Sequence, residues 1–201
     1  MKPKIKAIIF DLGGVVAHGG YLDFIRHYCL KCMTPQGKRE IIELERIVNL
    51  GLITERQFYL NLERLFGVHL KPRQMHELIV KRMTADKALL KVIKKLKLKP
   101  AKIAMFTNSI GHMARDVLKR RHIPARKLFT RVFDSSQLHM VKPDAVAYRY
   151  VVHKLEVKPR EALMVDDRAA NITGAKKIGM HGIVYKNSRQ FQTALKKYVL
   201  V

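Results

Sequence analysis

Tryptophan is absent from this chain of 201 residues, cysteine occurs only twice, and no long apolar run is present. A membrane-spanning helix needs about 20 consecutive apolar residues, and no stretch of the sequence approaches that length. The N-terminus is basic, but the apolar residues after it run directly into Asp11, without the longer apolar region and small-residue cleavage site of a signal peptide. These absences predict a cytoplasmic protein.

The two cysteines, Cys29 and Cys32, form a C-x-x-C pair shortly after His27. A zinc site usually draws on a second pair of ligands at comparable spacing, and the sequence has none. Two reduced thiols on a helix are therefore the favoured interpretation, with a redox pair or a metal site as alternatives.

Acidic residues are scarce outside one segment of the chain. There are 40 Lys and Arg against 16 Asp and Glu, which gives a net charge of +24. Residues 18–86 hold 11 basic and 8 acidic side chains, the remainder holds 29 and 8, and no acid follows Asp167. This charge predicts attraction to polyanions and anionic substrates at low salt. No nucleic-acid motif or interleaved aromatic residues accompany it, so the charge alone does not indicate specific recognition.

Apolar patterns predict an α/β core built from residues 1–17 and 87–201. A buried strand over residues 5–10 opens it, and short apolar strands alternate with helices through its second part, where the last helix is predicted to include Val199. This alternation predicts a doubly wound parallel sheet.

Residues 18–86 interrupt that pattern with apolar residues at helical spacing and no convincing strand. Thr54 is a predicted helix N-cap after a break at Gly51. The segment is therefore predicted to be a small helical domain inserted after the first strand.

Polar and reactive side chains follow three predicted strands at their carboxyl ends, where ligands bind in an open parallel sheet, and a fourth loop carries Lys142. Listed in chain order, these side chains are Asp11, Thr107, Asn108, Ser109, Lys142, Asp166 and Asp167. We expect them to converge on one crevice.

The expected cluster suits phosphoryl transfer. Carboxylates at one edge repel one another unless a cation lies among them, and oxygen ligands favour Mg²⁺. Asp11 has no obvious structural partner and suits a nucleophile that forms an acyl phosphate. Thr107 would bind phosphate oxygens, and Lys142 would neutralise charge shared between Asp11 and the phosphate. Alone, Thr107 could instead cap a helix, and Asp166 and Asp167 could be favoured by a helix dipole.

Four segments of the chain resemble the motifs of the haloacid dehalogenase-like (HAD) hydrolase superfamily, whose members are mostly phosphatases. IIFDLGGVV is similar to the first motif, with Asp11 as the nucleophile, and IAMFTNS to the second, with Thr107. MVKPD is similar to the third, with Lys142, and MVDDRAANITGAKKIGM to the fourth, with Asp166 and Asp167.

The resemblance implies a Rossmann-like core, and it implies that residues 18–86 form a helical cap of the first type. It also implies a Mg²⁺ site and a phosphate site. The implied metal ligands are Asp11, the backbone of Gly13, Asp166 and Asp167. The implied substrate contacts are Gly13, Gly14, Thr107, Asn108 and Lys142.

Gly13 departs from the family pattern. Phosphatases of the family usually carry a second aspartate there, as general acid and base for the leaving group. General acid help contributes on the order of a hundredfold or more, so activity without it is expected to be slow or restricted. His18 is one possible substitute.

The sequence thus predicts a Mg²⁺-dependent phosphatase that hydrolyses a small phosphorylated metabolite through an aspartyl-phosphate on Asp11. One alternative is a carbon–halogen hydrolase, which uses an aspartate nucleophile without Mg²⁺. Another is a catalytically weak module that binds nucleic acid or other polyanions through the basic core. Oligomeric state is open.

Overall fold

The computed structural model describes residues 2–29 and 34–201. In chain order, the strands are β1 (Lys4–Ile5), β2 (Ala7–Phe10), β3 (Ala17–His18), β4 (Thr84–Ala85), β5 (Lys102–Thr107), β6 (Arg131–Asp134), β7 (Ala162–Asp166), β8 (His181–Val184) and β9 (Val199–Leu200). The helices are α1 (Tyr21–Tyr28), α2 (Pro35–Asn49), α3 (Glu55–Phe66), α4 (Pro72–Arg82), α5 (Lys87–Leu96), α6 (Met113–Arg120), α7 (Ala125–Leu128), α8 (Ser135–Leu138), α9 (Ala145–Lys154), α10 (Ala169–Lys177) and α11 (Ser188–Leu195), with a 3₁₀ turn at Pro159–Glu161.

Five strands form a parallel central sheet in the order β6-β5-β2-β7-β8. The first long strand, β2, lies at its centre, and Phe10 pairs with Met105 of β5 on one side and Val165 of β7 on the other. The predicted doubly wound α/β fold is confirmed. Because β2, β5 and β7 are neighbours, the residues at their carboxyl ends are brought side by side.

Both faces of the sheet are buried, as expected when helices cover a parallel sheet. Side chains alternate along each strand. Ile8 and Phe10 face a core shared with α5, α6 and α11, whereas Ala7 and Ile9 face a second core shared with α9 and α10.

Residues 18–86 fold as four described helices, α1–α4, and the predicted N-cap at Thr54 is confirmed, since its Oγ1 accepts from the Gln57 N–H at 3.2 Å. The expectation of no strand was wrong at the ends of the segment. There β3 and β4 pair antiparallel, with Ala17 opposite Ala85. Strands of two residues are too short to produce a hydrophobic period. Assignment of the segment as a separate cap domain stays a prediction.

The C-terminus differs from the prediction in the same way. Helix α11 ends at Leu195, and Val199 belongs to β9, which pairs parallel with β1. The Val199 N–H donates to the Pro3 carbonyl at 2.9 Å. Backbone pairing with the distant N-terminus therefore makes Val199 a strand residue. Such pairing leaves no signal in the apolar pattern of the residues around Val199.

Cys29 follows α1 and is buried. It is disulfide-bonded, which differs from the reduced form predicted for it. Cys32 lies outside the described residues. No described helix combines the length and apolar composition needed to cross a membrane.

Asp86 joins the end of the helical segment to the core. Its carboxylate accepts from the Leu89 N–H at 2.8 Å, which caps α5, and from the Tyr185 hydroxyl at 2.6 Å, and it lies 3.1 Å from His18 Nε2. Burial raises the pKa of Asp86, but these hydrogen bonds outweigh burial and hold the pKa below its usual value.

Replacement of Asp86 by alanine is expected to lower the free energy of unfolding by about 2 kcal/mol, because α5 loses its cap and the Tyr185 hydroxyl loses its acceptor. Asp86→Asn should cost less, since its amide oxygen still accepts. Urea denaturation measures both.

The pH dependence separates the charge from the hydrogen bonds. A lowered pKa contributes stability that is present above the unfolded pKa of about 4 and is lost as the pH falls through the folded pKa. The difference in unfolding free energy between wild type and Asp86→Asn should therefore shrink on acidification below about pH 5. A difference that widens would contradict the assignment.

Candidate active site

The sheet brings together the reactive side chains that the sequence distributes over four loops. Asp11 follows β2, Thr107 ends β5, Asp166 ends β7, and Lys142 comes from the loop before α9. A cavity of about 350 Å³ lies beyond these strand ends, and Asp11, Thr107, Lys142 and Asp167 line it. Asp166 lies behind them and is fully buried. The side chains expected to converge on one crevice therefore lie together beyond the strand ends.

Lys142 lies between two carboxylates at the base of the cavity. Its Nζ is 2.9 Å from Asp11 Oδ1 and 2.7 Å from Asp166 Oδ2, and its side chain has no solvent exposure. Burial lowers the pKa of Lys142, but the two carboxylates outweigh burial and raise the pKa above its usual value. Lys142 is therefore a fixed positive charge.

Asp11 is oriented through only one of its oxygens. Oδ1 accepts from the Leu12 N–H at 2.7 Å and from Lys142, whereas Oδ2 accepts no hydrogen bond from any described residue. Burial raises the pKa of Asp11 to about 7, with Asp166 and Asp167 adding to the rise and Lys142 opposing it. Burial and the neighbouring carboxylates thus oppose ionisation of Asp11, and Lys142 offsets them only in part.

Asp166 is itself held in place by hydrogen bonds from the segment that follows it. Its Oδ1 accepts from the Arg168 N–H at 2.9 Å, and the Asn171 amide donates to both carboxylate oxygens at 3.0 Å. Asn171 was not predicted as a site residue, although it lies in the same segment as the acidic pair. The available signal in the sequence was its place in the fourth motif, five residues after Asp166.

Asp167 packs against the turn that follows Asp11. Gly14 has φ +71°, a conformation that favours glycine, and a Cβ there would press on the Asp167 carboxylate. Carboxylate oxygens of Asp11, Asp166 and Asp167 lie within 4.8 Å of one another. Burial, and then the charge of Asp166, raises the pKa of Asp167.

Gly13 has open space where a side chain would be. No atom lies within 4 Å of a Cβ built on it, and its φ is not positive. The backbone at this position therefore does not require glycine.

The three residues of the Thr107–Ser109 segment make different contacts. Thr107 lines the cavity, while the Asn108 amide exchanges two hydrogen bonds of 2.9 Å with the backbone of Lys142. Ser109 Oγ accepts from the Ala114 N–H at 3.1 Å at the start of α6. Asn108 thus positions Lys142, and its predicted contact with substrate stays a prediction.

His18 lies outside the cavity. Its Nε2 is bound at Asp86 and its ring stacks on Tyr185, with 6.2 Å between the ring centroids. The structure does not favour His18 as the missing acid.

Residues from the helical segment complete the cavity, and the sequence did not identify them. These are Gly19, Tyr21, Asp23, Arg26, Glu45, Asn49 and Met83. The helical pattern shows which residues are apolar, but it does not show which polar face is turned toward the core.

The fold and the clustered carboxylates define an α/β protein with an acidic site at the carboxyl ends of its central strands. A family model described as haloacid dehalogenase-like hydrolase matches residues 5–179, and the chain belongs to that family.

Known proteins are similar to this chain over different extents. Drimenol cyclase drtB of Aspergillus calidoustus is 31% identical over 68 residues, which make up 34% of this chain and only 13% of that protein. A HAD family enzyme of Bacteroides thetaiotaomicron, solved with magnesium and inorganic phosphate, has a TM-score of 0.74 at 20% identity and covers 91% of this chain and 95% of its own. L-2-haloacid dehalogenase of Xanthobacter autotrophicus, with chloropropionic acid covalently bound, has a TM-score of 0.62 at 18% identity and covers 96% and 82%. At these identities the two structures show the shared fold.

Substitution of Lys142 by methionine is expected to lower the free energy of unfolding by about 3–5 kcal/mol, because Asp11 and Asp166 lose their shared counter-charge. Adding Asp166→Asn to this variant removes one uncompensated charge and should restore part of the loss. Urea denaturation in the presence of a chelator measures the cycle. Strictly additive effects would show that Lys142 and Asp166 are not coupled.

Proposed function

We propose that this protein is a Mg²⁺-dependent phosphatase that hydrolyses a small phosphorylated metabolite through an aspartyl-phosphate on Asp11. The observation that carries the proposal is the orientation of Asp11, which lines the cavity. Its Oδ1 is held by Lys142 and the Leu12 N–H, while Oδ2 accepts no hydrogen bond from any described residue. A carboxylate with one oxygen fixed and the other free is oriented for nucleophilic attack.

The residues around Asp11 suit the two halves of such a reaction. In the first half, Asp11 Oδ2 forms a bond to phosphorus and the ester oxygen leaves with its electron pair. Lys142 offsets the negative charge that Asp11 shares with the phosphoryl group. The Thr107 hydroxyl, which donates to the Asn108 carbonyl at 3.2 Å, would donate to a phosphoryl oxygen when substrate is bound. In the second half, water opens the acyl phosphate, which frees the Asp11 carboxylate and inorganic phosphate.

The residues present fit a magnesium ion. Asp11, Asp167, Asp166 and the Gly13 carbonyl are the proposed ligands, and oxygen donors of this kind are those that Mg²⁺ prefers. Lys142 by itself leaves the pKa of Asp11 raised to about 7, so the cluster has negative charge for a further cation to offset. A bound Mg²⁺ would supply positive charge to the phosphoryl oxygens. The Bacteroides enzyme of the same fold was solved with magnesium and inorganic phosphate.

The third carboxylate favours a phosphatase over a carbon–halogen hydrolase. Asp167 adds negative charge beside Asp11 and Asp166, which suits a metal-dependent reaction. A dehalogenase needs no metal and gains nothing from that charge. The helical segment 18–86 is proposed to act as a specificity lid.

Substitution of Asp11 by asparagine is expected to abolish Mg²⁺-dependent hydrolysis of an aryl phosphate, by about three orders of magnitude or more, because the nucleophile is lost. Asp144→Asn is the matched control, since Asp144 pairs with Arg46 on the surface at 2.9 Å. A phosphate-release assay with and without chelator measures both. Halide release from a 2-haloacid in the presence of chelator, without phosphate release, would favour the dehalogenase alternative.

Restoration of a second acid at Gly13 is expected to increase activity, since the position has room for a side chain. Gly13→Asp should raise kcat for alkyl phosphates by roughly a hundredfold, because their leaving groups need a proton. The gain should be smaller for p-nitrophenyl phosphate, whose leaving group is acidic. Gly13→Asn has the same size without the acid, and an equal gain in that variant would contradict general acid catalysis.

Nucleic-acid attraction through the basic surface stays a prediction, as does the cytoplasmic location. Helices α5, α6 and α11 pack on the same face of the sheet, and their exposed basic residues include Lys94, Lys95, Lys119, Arg120 and Arg189. We expect attraction of this kind to be non-specific and to weaken steeply with salt.

A further inference from the structure

The part of the cavity that lies away from the phosphate has two chemically different linings. Ile110, Met113, Ala114 and Val117 of the core make one of them apolar. The helical segment supplies polar side chains, namely Tyr21, Asp23, Arg26, Glu45 and Asn49. If the proposed function is correct, these groups surround the leaving group.

Asp23 and Arg26 are poor candidates for selecting that group. Their charged atoms are 3.8 Å apart, and their side chains are 54% and 68% exposed. Water and salt screen such a pair, and it contributes little to binding.

Tyr21 and Glu45 are half-buried instead. The Tyr21 hydroxyl oxygen is buried and has no hydrogen-bond partner among the described residues. Buried hydroxyls are nearly always bonded, so an unpartnered one beside a cavity points to a bound molecule that completes it. Glu45 lies beside it, since the carboxylate raises the pKa of the Tyr21 hydroxyl and the hydroxyl lowers the pKa of Glu45.

The charges around Glu45 decide whether a cationic or a neutral group binds beside it and Tyr21. Burial raises the pKa of Glu45, whereas Arg168 and Tyr21 oppose the rise. Arg168 thus already offsets the Glu45 charge, which reduces the advantage of a cationic ligand. A hydroxyl both accepts and donates, so it satisfies the phenol and the carboxylate together.

We propose that Tyr21 and Glu45 bind a hydroxyl group of the leaving alcohol, with the Tyr21 O–H donating to it and the Glu45 carboxylate accepting from it. The preferred substrates are then phosphate monoesters of small alcohols that carry a further hydroxyl. The cavity of about 350 Å³ must also hold the phosphoryl group, so a small alcohol fits it best. This inference rests on the proposed function and specifies its substrate class.

The test compares 3-hydroxypropyl phosphate with propyl phosphate in the presence of Mg²⁺. Wild type is expected to prefer the hydroxylated ester by about tenfold or more in kcat/KM, since propyl phosphate leaves the buried Tyr21 hydroxyl without a partner. Tyr21→Phe and Glu45→Gln should each reduce that preference toward one, mainly through a higher KM for the hydroxylated ester. Glu43→Gln, on the exposed side of the same helix as Glu45, and Tyr150→Phe, on α9, are controls that should keep it.

Calorimetric binding of the two esters to wild type and to both variants provides a second readout. Equal use of the esters by an enzyme that hydrolyses aryl phosphate, or a preference retained in both variants, would overturn the inference and leave the phosphatase proposal standing. If no phosphate ester is hydrolysed, the phosphatase proposal fails. Binding then decides the inference, because equal affinity for the two esters contradicts it and tighter binding of the hydroxylated ester that depends on Tyr21 and Glu45 supports it.

Discussion

The Lys142 ammonium group lies fully buried between the carboxylates of Asp11 and Asp166, at 2.9 and 2.7 Å, and the rest of the site is arranged around this contact. Two buried carboxylates at such close range would otherwise be strongly destabilising. The lysine offsets their charge and leaves one oxygen of Asp11 free. Asn108, which pairs with the Lys142 backbone, and Asn171, which donates to Asp166, fix both ends of the arrangement.

The position of this contact follows from the sheet. A central β2 with β5 and β7 on its two sides places Asp11, Thr107 and Asp166 at adjacent strand ends. The cavity beyond them is then shared by core residues and by the helical segment 18–86. That segment leaves and rejoins the core through β3 and β4, which pair with each other. Because both ends of the segment meet at this one pair of strands, changes in the residues with which it lines the cavity need not move the ends of β2, β5 and β7.

In the proposed function, the residues that carry out the reaction are different from those that select the substrate. Groups held by the strand ends act on the phosphoryl part of a proposed substrate, and they are fixed by buried hydrogen bonds. Tyr21 and Glu45, on α1 and α2, line the same cavity. Under the proposed function they would contact the leaving group, which distinguishes one substrate from another. Gly13 lies between the two regions, and the absence of an acid there makes the choice of leaving group matter more.

The sequence by itself determined the α/β fold, the order of its strands along the chain, and the reactive residues at their ends, because apolar period and terminal polar groups are local signals. It also indicated the N-cap at Thr54. Tertiary structure alone decided that Val199 joins a strand beside Pro3, that His18 turns away to Asp86, and that Asn108 serves the Lys142 backbone. It also decided that Tyr21 and Glu45 line the cavity. Each of these depends on contacts between residues distant in the chain, and no local pattern records which of several polar faces a helix turns inward.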